Sequence, residues 1–287
     1  MSRHYALFLF LVFSIFVSAA AAYAIADGSS NSPDMPSTAG FIKLGEERGR
    51  SIVVTAGFDH VFERNLEDNS TADSGEIEGD WFLLGFSYRI KDLYEPYLRL
   101  GLATMNSKWS QGETGVMMDS EPDWAIGGGF KMLAYKAKVT SLSDLKVNLD
   151  GQVRYTSPSI DNIKISGADR TRNVTAKEFS IFEGRATATA SLEISLKNLV
   201  FDEDEEDEML TNILLSPYLG IGYMNSINTL KFDFNGTNYG YDETSQEHNF
   251  GAIAGLDILS PDFVTLNLEG QLFGNDKSAS GGVNIKF

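Results

Sequence analysis

Apolar and polar residues alternate one by one along most of this chain, the period of a strand with two unlike faces. The clearest stretch runs from Leu145 to Tyr155. Leu145, Val147, Leu149, Gly151, Val153 and Tyr155 share one face, and Lys146, Asn148, Asp150, Gln152 and Arg154 share the other. The same rhythm groups Phe82, Leu84, Phe86 and Tyr88, and sets Leu98, Leu100 and Leu102 against Tyr97, Arg99 and Gly101. It also sets Ala186, Ala188, Ala190, Leu192, Ile194 and Leu196 against a polar row from Arg185 to Lys197. Such runs predict ten strands: Ser51–Phe62, Asp80–Ile90, Glu95–Asn106, Asp123–Lys136, Leu145–Ser157, Lys177–Lys197, Leu214–Asn225, Asn249–Leu259, Phe263–Phe273 and Ala279–Phe287. Phe41–Leu44 reads as a short eleventh piece or an N-terminal plug.

The connections carry a second pattern. Tyr88–Pro96, Lys136–Asp144 and Leu259–Phe263 are short, whereas Glu63–Gly79, Ser107–Pro122, Pro158–Ala176 and Ser226–His248 are long, and the two kinds alternate. Asn198–Thr211 and Gly274–Ser278 depart from that order. An even strand count with alternating short and long connections predicts an all-β fold, an up-and-down antiparallel β-barrel of about ten strands. Within the last long connection, Asn235-Gly236 lies between alternating aromatics, a strong hairpin signal, so two strands are expected to continue past the barrel. Its aromatics either bind a partner or pack on a neighbouring loop, and packing is the expectation.

The start of the chain breaks the alternation. Ala6–Val17 carries no charge, follows Arg3 and His4, and leads to Ala24-Ile25-Ala26, the pattern of a secretory signal peptide over residues 1–26. Its apolar core is short of the ~20 residues a spanning helix needs. Residues 27–50 then read as an exported N-terminal segment and 51–287 as the barrel. The 287 residues include no cysteine, which excludes disulfides and thiolate metal sites. With 40 Asp and Glu against 23 Lys and Arg, the net charge of -17 argues against a nucleic-acid partner.

The last residues place Val283, Ile285 and Phe287 on one face and finish on an aromatic side chain. This resembles the C-terminal signature of Gram-negative outer-membrane β-barrel proteins, the class of small OmpA-like and porin-like barrels. The resemblance implies that Val283, Ile285 and Phe287 are read by the barrel-assembly machinery, and that the chain resides in the cell outer membrane among its lipids and lipopolysaccharide. A closed barrel pairs every backbone polar group without leaving an edge, as a bilayer requires. The apolar faces then meet lipid. The lumen-lining candidates are Arg99, Lys131, Lys146, Asp150, Arg154, Glu183, Arg185, Glu193 and Glu269, with Arg89, Lys197 and Lys286 beside them. Trp81, Tyr94, Tyr97, Trp109, Trp124, Tyr135, Tyr155, Tyr218 and Tyr223 lie at strand ends and suit the two interfacial girdles. A soluble periplasmic β-sandwich or lipocalin-like barrel has the same alternation with the faces exchanged; the exported start and the terminal Phe favour the membrane.

Catalytic chemistry is thinly supplied. Past the signal peptide the only histidines are His60 and His248. Asp59 adjoins His60, but neighbours on a strand point to opposite faces, so Asp59 cannot orient that ring. No enzyme, cofactor or metal site is expected. The acidic run Asp202–Glu208 lacks the spaced ligands and glycine of a dedicated Ca²⁺ loop and reads as solvated. Glu63–Asp80 is an acidic projection; Pro158–Lys177, with Lys164, Arg170, Arg172 and Lys177, is a basic one and a candidate contact for lipopolysaccharide phosphates. Ten strands with charged lumen residues predict a narrow or closed pore. The leading expectation is a structural or surface-interacting envelope protein that could meet a surface ligand through its long loops. A selective small-solute channel is the alternative, and an outer-surface barrel enzyme the third.

Overall fold

The computed structural model describes residues 50–67, 73–91, 93–140, 143–195, 213–259 and 264–287. The expected signal peptide, the exported segment up to residue 49, Phe41–Leu44, Lys197 and the acidic run Asp202–Glu208 lie outside the described residues.

The described residues form fourteen strands and one 3₁₀ turn at Thr171–Asn173. Ten of them form the staves of a closed barrel: β1 (Arg50–Asn65), β2 (Asp73–Ile90), β3 (Tyr94–Gln111), β5 (Asp123–Thr140), β6 (Ser143–Thr156), β9 (Val174–Ser195), β10 (Leu214–Phe234), β12 (Phe250–Leu259), β13 (Val264–Phe273) and β14 (Asp276–Lys286). Each pairs antiparallel with the next in this series. β14 closes the ring on β1, with Val53 opposite Lys286 and His60 opposite Ala279. Beyond the ladder's last pair, Ile52 and Phe287 exchange both backbone hydrogen bonds, at 3.3 and 2.8 Å. No staff in the ring therefore presents an open edge.

The long connections are not loops. Four further strands, β4 (Thr114–Ser120), β7 (Ile160–Ile165), β8 (Ala168–Asp169) and β11 (Thr237–Ser245), stand beyond the long-loop end of the barrel. There the upper parts of β1, β2 and β3 continue through β4 to β7 and β8, making one leaf. The upper parts of β9 and β10 with β11 make a second. The turn at Asn235 and Gly236, with φ of 55° and 78°, reverses the chain between β10 and β11.

Between the leaves lies the apolar core of the molecule. Val61, Leu66, Ile77, Trp81, Met105, Trp109, Val116, Met118, Ile163 and Ile165 come from the first leaf, and Val174, Phe179, Ile181, Leu230, Phe232 and Tyr241 from the second. Trp109 meets Phe232 and Tyr241 at ring-centroid distances of 6.2 Å each, and Phe232 stacks on Tyr239 at 5.4 Å. The aromatics around Asn235-Gly236 thus pack inward, and the barrel carries a folded cap.

Strands that run through both layers reverse their polarity on the way. Along β2 the outward residues Phe82, Leu84, Phe86 and Tyr88 are apolar and exposed, while Glu76, Glu78 and Asp80 higher on the same face are acidic. The inward face of β2 changes the opposite way, from Ser87 and Arg89 to Leu83, Trp81 and Ile77. β3 repeats this, with Leu98, Leu100 and Leu102 outside below Thr104, Asn106 and Lys108, and with Arg99 inside below Met105 and Trp109. β9 does so at Phe182 outside and Ile181 inside. Below this level the wall is apolar outward and charged inward. Above it the cap has an ordinary apolar interior.

The interior of the barrel as a candidate functional site

Among the described residues, each lumen-lining candidate named from the sequence is buried and on the inner side of its strand; Lys197 lies outside them. Among the described residues, eight basic side chains (Arg64, Arg89, Arg99, Lys131, Lys146, Arg154, Arg185, Lys286) and eight acidic ones (Asp59, Glu95, Asp150, Glu183, Glu193, Asp257, Glu269, Asp276) are buried. The interior is formally neutral, so the chain's excess of acid lies outside it.

The charges are grouped by level. Nearest the cap, Arg154 is held between Asp59, 2.6 Å from Nη1, and Glu183, whose Oε1 lies 2.8 Å from Nε. Arg64 reaches the other Glu183 oxygen at 2.7 Å. The Arg154 guanidinium also lies 4.2 Å from the centroid of the Trp81 ring, at the floor of the cap. Arg154 and Glu183 face each other on the neighbouring strands β6 and β9, while Asp59 and Arg64 come from β1, so the Arg154–Asp59 and Arg64–Glu183 pairs cross the bore.

At mid-height two tyrosines turn into the lumen. The Tyr97 hydroxyl donates to Asp150 at 2.9 Å, and Arg99 donates to Gln152 at 3.1 Å. Tyr218 donates to Glu269 at 2.7 Å, Gln271 donates to the other Glu269 oxygen at 2.6 Å, and Asn267 bridges Tyr218 and Asp257. Each ring lies where a glycine on a neighbouring strand leaves room. A Cβ at Gly129 would come within 2.4 Å of the Tyr97 hydroxyl, and one at Gly255 within 2.3 Å of Tyr218.

At the short-turn end Arg89 grips Glu95 at 3.0 Å, Ser87 donates to the same carboxylate at 2.8 Å, and Lys146 meets Glu193 at 2.5 Å. Arg89, Glu95, Lys131 and Asn148 line a shallow hollow at that mouth. Each of these ion pairs joins two adjacent strands, so it fixes its side chains along the wall.

Sequence reasoning did not find Arg64, Glu95, Asp257 or Asp276. Glu95 and Asp257 obey the alternation of their strands and were legible. Arg64 and Asp276 sit where the pattern was read as loop. Asp276 accepts from the backbone N–H of Asn65 at 2.9 Å, tying the top of β14 to β1.

The girdle assignments need correction. Trp81, Tyr97, Trp109 and Tyr218 face inward, Trp81 and Trp109 into the cap core and the two tyrosines into the lumen. The reason is parity: each shares a face with buried charge or cap residues. Tyr94, Trp124, Tyr135 and Tyr223 are exposed on the outer face, joined by Phe130 and Phe250. Tyr94 stacks on Phe130 at 5.8 Å near one rim, and Tyr223 meets Phe250 at 5.1 Å near the other.

The histidines lie outside the bore. His60 Nδ1 is 2.6 Å from Asp80 on the outer wall, while Asp59 points inward to Arg154. His248 Nδ1 is 3.7 Å from Glu247, beyond hydrogen-bond range. Among the described residues no three His, Asp or Glu side chains gather as metal ligands.

No protein-family model and no curated protein matches the chain. Among solved structures it is similar to the translocator domain of autotransporter NalP from Neisseria meningitidis, at 15% identity and a TM-score of 0.38, covering 84% of this chain and 90% of that one. It is also similar to the transport unit of the autotransporter AIDA-I from Escherichia coli, at 11% identity and a TM-score of 0.33, covering 86% of this chain and 93% of that one. An outer membrane channel from Pseudomonas putida F1 is similar at 10% identity and a TM-score of 0.34, covering 88% of this chain and 99% of that one. The ring of ten antiparallel strands, apolar without and charged within, is itself the architecture of an outer-membrane β-barrel.

Proposed function

We propose that this chain is an integral outer-membrane protein with a structural or surface-interacting role, its bore closed on the outer side. The observation that carries the reading is the packed apolar cap standing directly on the Asp59–Arg154–Glu183–Arg64 network. A solute entering from the cap side would have to part an apolar core and then break ion pairs that span the lumen. In the bilayer the exposed belt of Phe82, Leu84, Phe86, Leu98, Leu100, Leu219 and Ile221 meets lipid, and the cap projects from the outer surface. Val283, Ile285 and Phe287 serve as the assembly signal. Lys164, Arg170, Arg172 and Lys177 contact lipopolysaccharide phosphates. No catalytic role is assigned to His60 or His248.

A second reading, a small-solute channel, draws on the lower bore. From mid-height down, Ser51, Thr265 and Asn267 each keep a buried oxygen with no protein partner among the described residues, which suits a wetted lumen. The two readings separate in planar bilayers. The refolded protein, shown to be a barrel by heat-modifiable migration in a detergent gel, is expected to be silent. Steady single-channel openings would establish the channel instead.

A further inference from the structure

The two leaves of the cap are not joined by a continuous ladder. β11 pairs with β10 along one edge. Along its other edge it faces the β2–β3 hairpin, where backbone pairing is replaced by one side chain. The Gln111 carboxamide donates from Nε2 to the Asn238 carbonyl at 3.2 Å and accepts at Oε1 from the Gly240 N–H at 3.3 Å. Gln111 thus imitates a strand residue. Further down the seam the Tyr241 ring fills the space that Gly75 leaves empty, and at the base the Leu66–Gln246 bridge is flanked by two backbone hydrogen bonds, from the Glu67 N–H to the Ser245 carbonyl at 2.9 Å and from the Glu247 N–H to the Asn65 carbonyl at 3.0 Å.

A second feature sits on the same strand, two residues away and on the same face. Trp109, buried against Tyr241 and Phe232, has an indole N–H with no acceptor among the described residues. A buried donor left unpaired destabilises the closed state, and hydration on opening would relieve it. The upper stretch of the seam, where a side chain stands in for a ladder, is therefore also the place where closure leaves a polar group unsatisfied. Local opening follows the least protected cooperative boundary of a fold.

We propose that the cap is a two-leaf gate that parts along the seam between β11 and the β2–β3 hairpin, with Gln111 as its latch. The inference rests on the reading of the bore as closed on its outer side. A second join between the leaves, where Arg170 lies 5.9 Å over the Phe234 ring and Ser157 donates to the Phe179 carbonyl, acts as the hinge side.

The chain has no cysteine, so one introduced thiol reports opening without background. Val116→Cys is close to isosteric, is fully buried in the cap core and lies opposite Trp109 in the β3–β4 ladder. The experiment measures the labelling rate of this thiol by a membrane-impermeant maleimide, with the protein refolded into phospholipid vesicles. Adding Gln111→Ala removes two hydrogen bonds and is expected to raise the rate about tenfold. Gln111→Glu, which can still accept from Gly240 but cannot donate to Asn238, is expected to fall between. Arg170→Ala, on the hinge side, is expected to leave the rate unchanged. Heat-modifiable migration of every variant confirms that the barrel itself is intact.

A parent barrel silent in bilayers whose labelling rises with Gln111→Ala supports the gate. A silent barrel whose labelling ignores Gln111, or responds to Arg170→Ala instead, overturns the gate and leaves the closed barrel standing. Steady conductance from the parent, with labelling indifferent to Gln111, overturns both.

Discussion

The Arg154 guanidinium lies over the Trp81 ring, 4.2 Å from its centroid, while its nitrogens hold Asp59 and Glu183. One side chain thus joins the charged lumen to the apolar cap. Its polar edge belongs to the ion-pair network and its π face to the floor of the core, a use of the planar guanidinium that an ammonium could not reproduce.

Replacing Arg154 by Ala should therefore cost more than a surface charge would. Asp59 would lose a charged partner and Glu183 would be left with Arg64, so buried carboxylate charge goes uncompensated. Loss of about 3 kcal/mol is expected, the lower end of the range for one partner of a buried pair, because Arg64 still compensates Glu183. A guanidinium titration in phospholipid vesicles, followed by tryptophan emission, measures it. Arg154→Lys should recover only part of the loss, since one ammonium cannot hold both acids and cover Trp81. Full recovery by Lys would show that charge alone matters there.

The reversal of polarity along β2, β3 and β9 makes a second prediction, about where lipid ends. Leu98 and Asn106 both point outward on β3, one below the reversal and one above. Leu98→Arg should destabilise the barrel in vesicles by about 2–4 kcal/mol, whereas Asn106→Arg should cost about 0–1 kcal/mol. The contrast should vanish in a comparison of Asn106→Arg with Ser110→Arg, both in the cap. Equal costs at positions 98 and 106 would mean that the belt extends higher than the reversal.

That reversal also explains what could and could not be read from the sequence. Lys146, Asp150 and Arg154 were legible as lumen residues because each lies between apolar neighbours, and nothing but a two-faced strand produces that order. Trp81 and Trp109 were misplaced because the strands were ended where the outward face stopped being apolar. The alternation in fact continues through Glu76-Ile77-Glu78 and Lys108-Trp109-Ser110 with the polarity exchanged. A periodic pattern cannot by itself state which face is inside, so the cap looked like four polar loops. The ion pairs were beyond reach for another reason. Asp59 and Arg64 lie on β1, which the curvature of the barrel sets across from Arg154 and Glu183 on β6 and β9, and local spacing carries no record of that.

Acid should loosen one part of the cap before the rest. Asp169 accepts from the Thr171 N–H at 2.9 Å and from its hydroxyl at 2.7 Å, next to the 3₁₀ turn. These hydrogen bonds, aided by Arg172 and Lys164, hold its carboxyl below the usual carboxylate range. A depressed folded-state value means that the contribution is complete above the unfolded value, about 3.9, and is lost as pH falls through the folded one. Amide exchange at Thr171 should therefore accelerate, beyond its intrinsic pH dependence, only below about pH 4. Asp169→Asn should flatten that dependence. Acceleration centred near pH 6 would implicate another group.

The seating of Tyr218 over Gly255 can be tested by coupling. A Cβ at position 255 would sit 2.3 Å from the phenol and 2.5 Å from the Leu268 carbonyl oxygen, so Gly255→Ala should destabilise the barrel by about 1–3 kcal/mol. Tyr218→Ser removes the ring and with it the first of those clashes, while also taking away the donor that Glu269 uses at 2.7 Å. If the ring is what the methyl meets, the double variant should be more stable than the two single losses imply, by at least ~0.5 kcal/mol. The second contact sets a floor, because the Leu268 carbonyl stays in place whatever occupies position 218. Strict additivity in the vesicle titration would mean that the cost of the methyl comes from the backbone oxygen alone, and that the lumen tyrosine is positioned by Glu269 and Asn267 and not by the glycine beneath it.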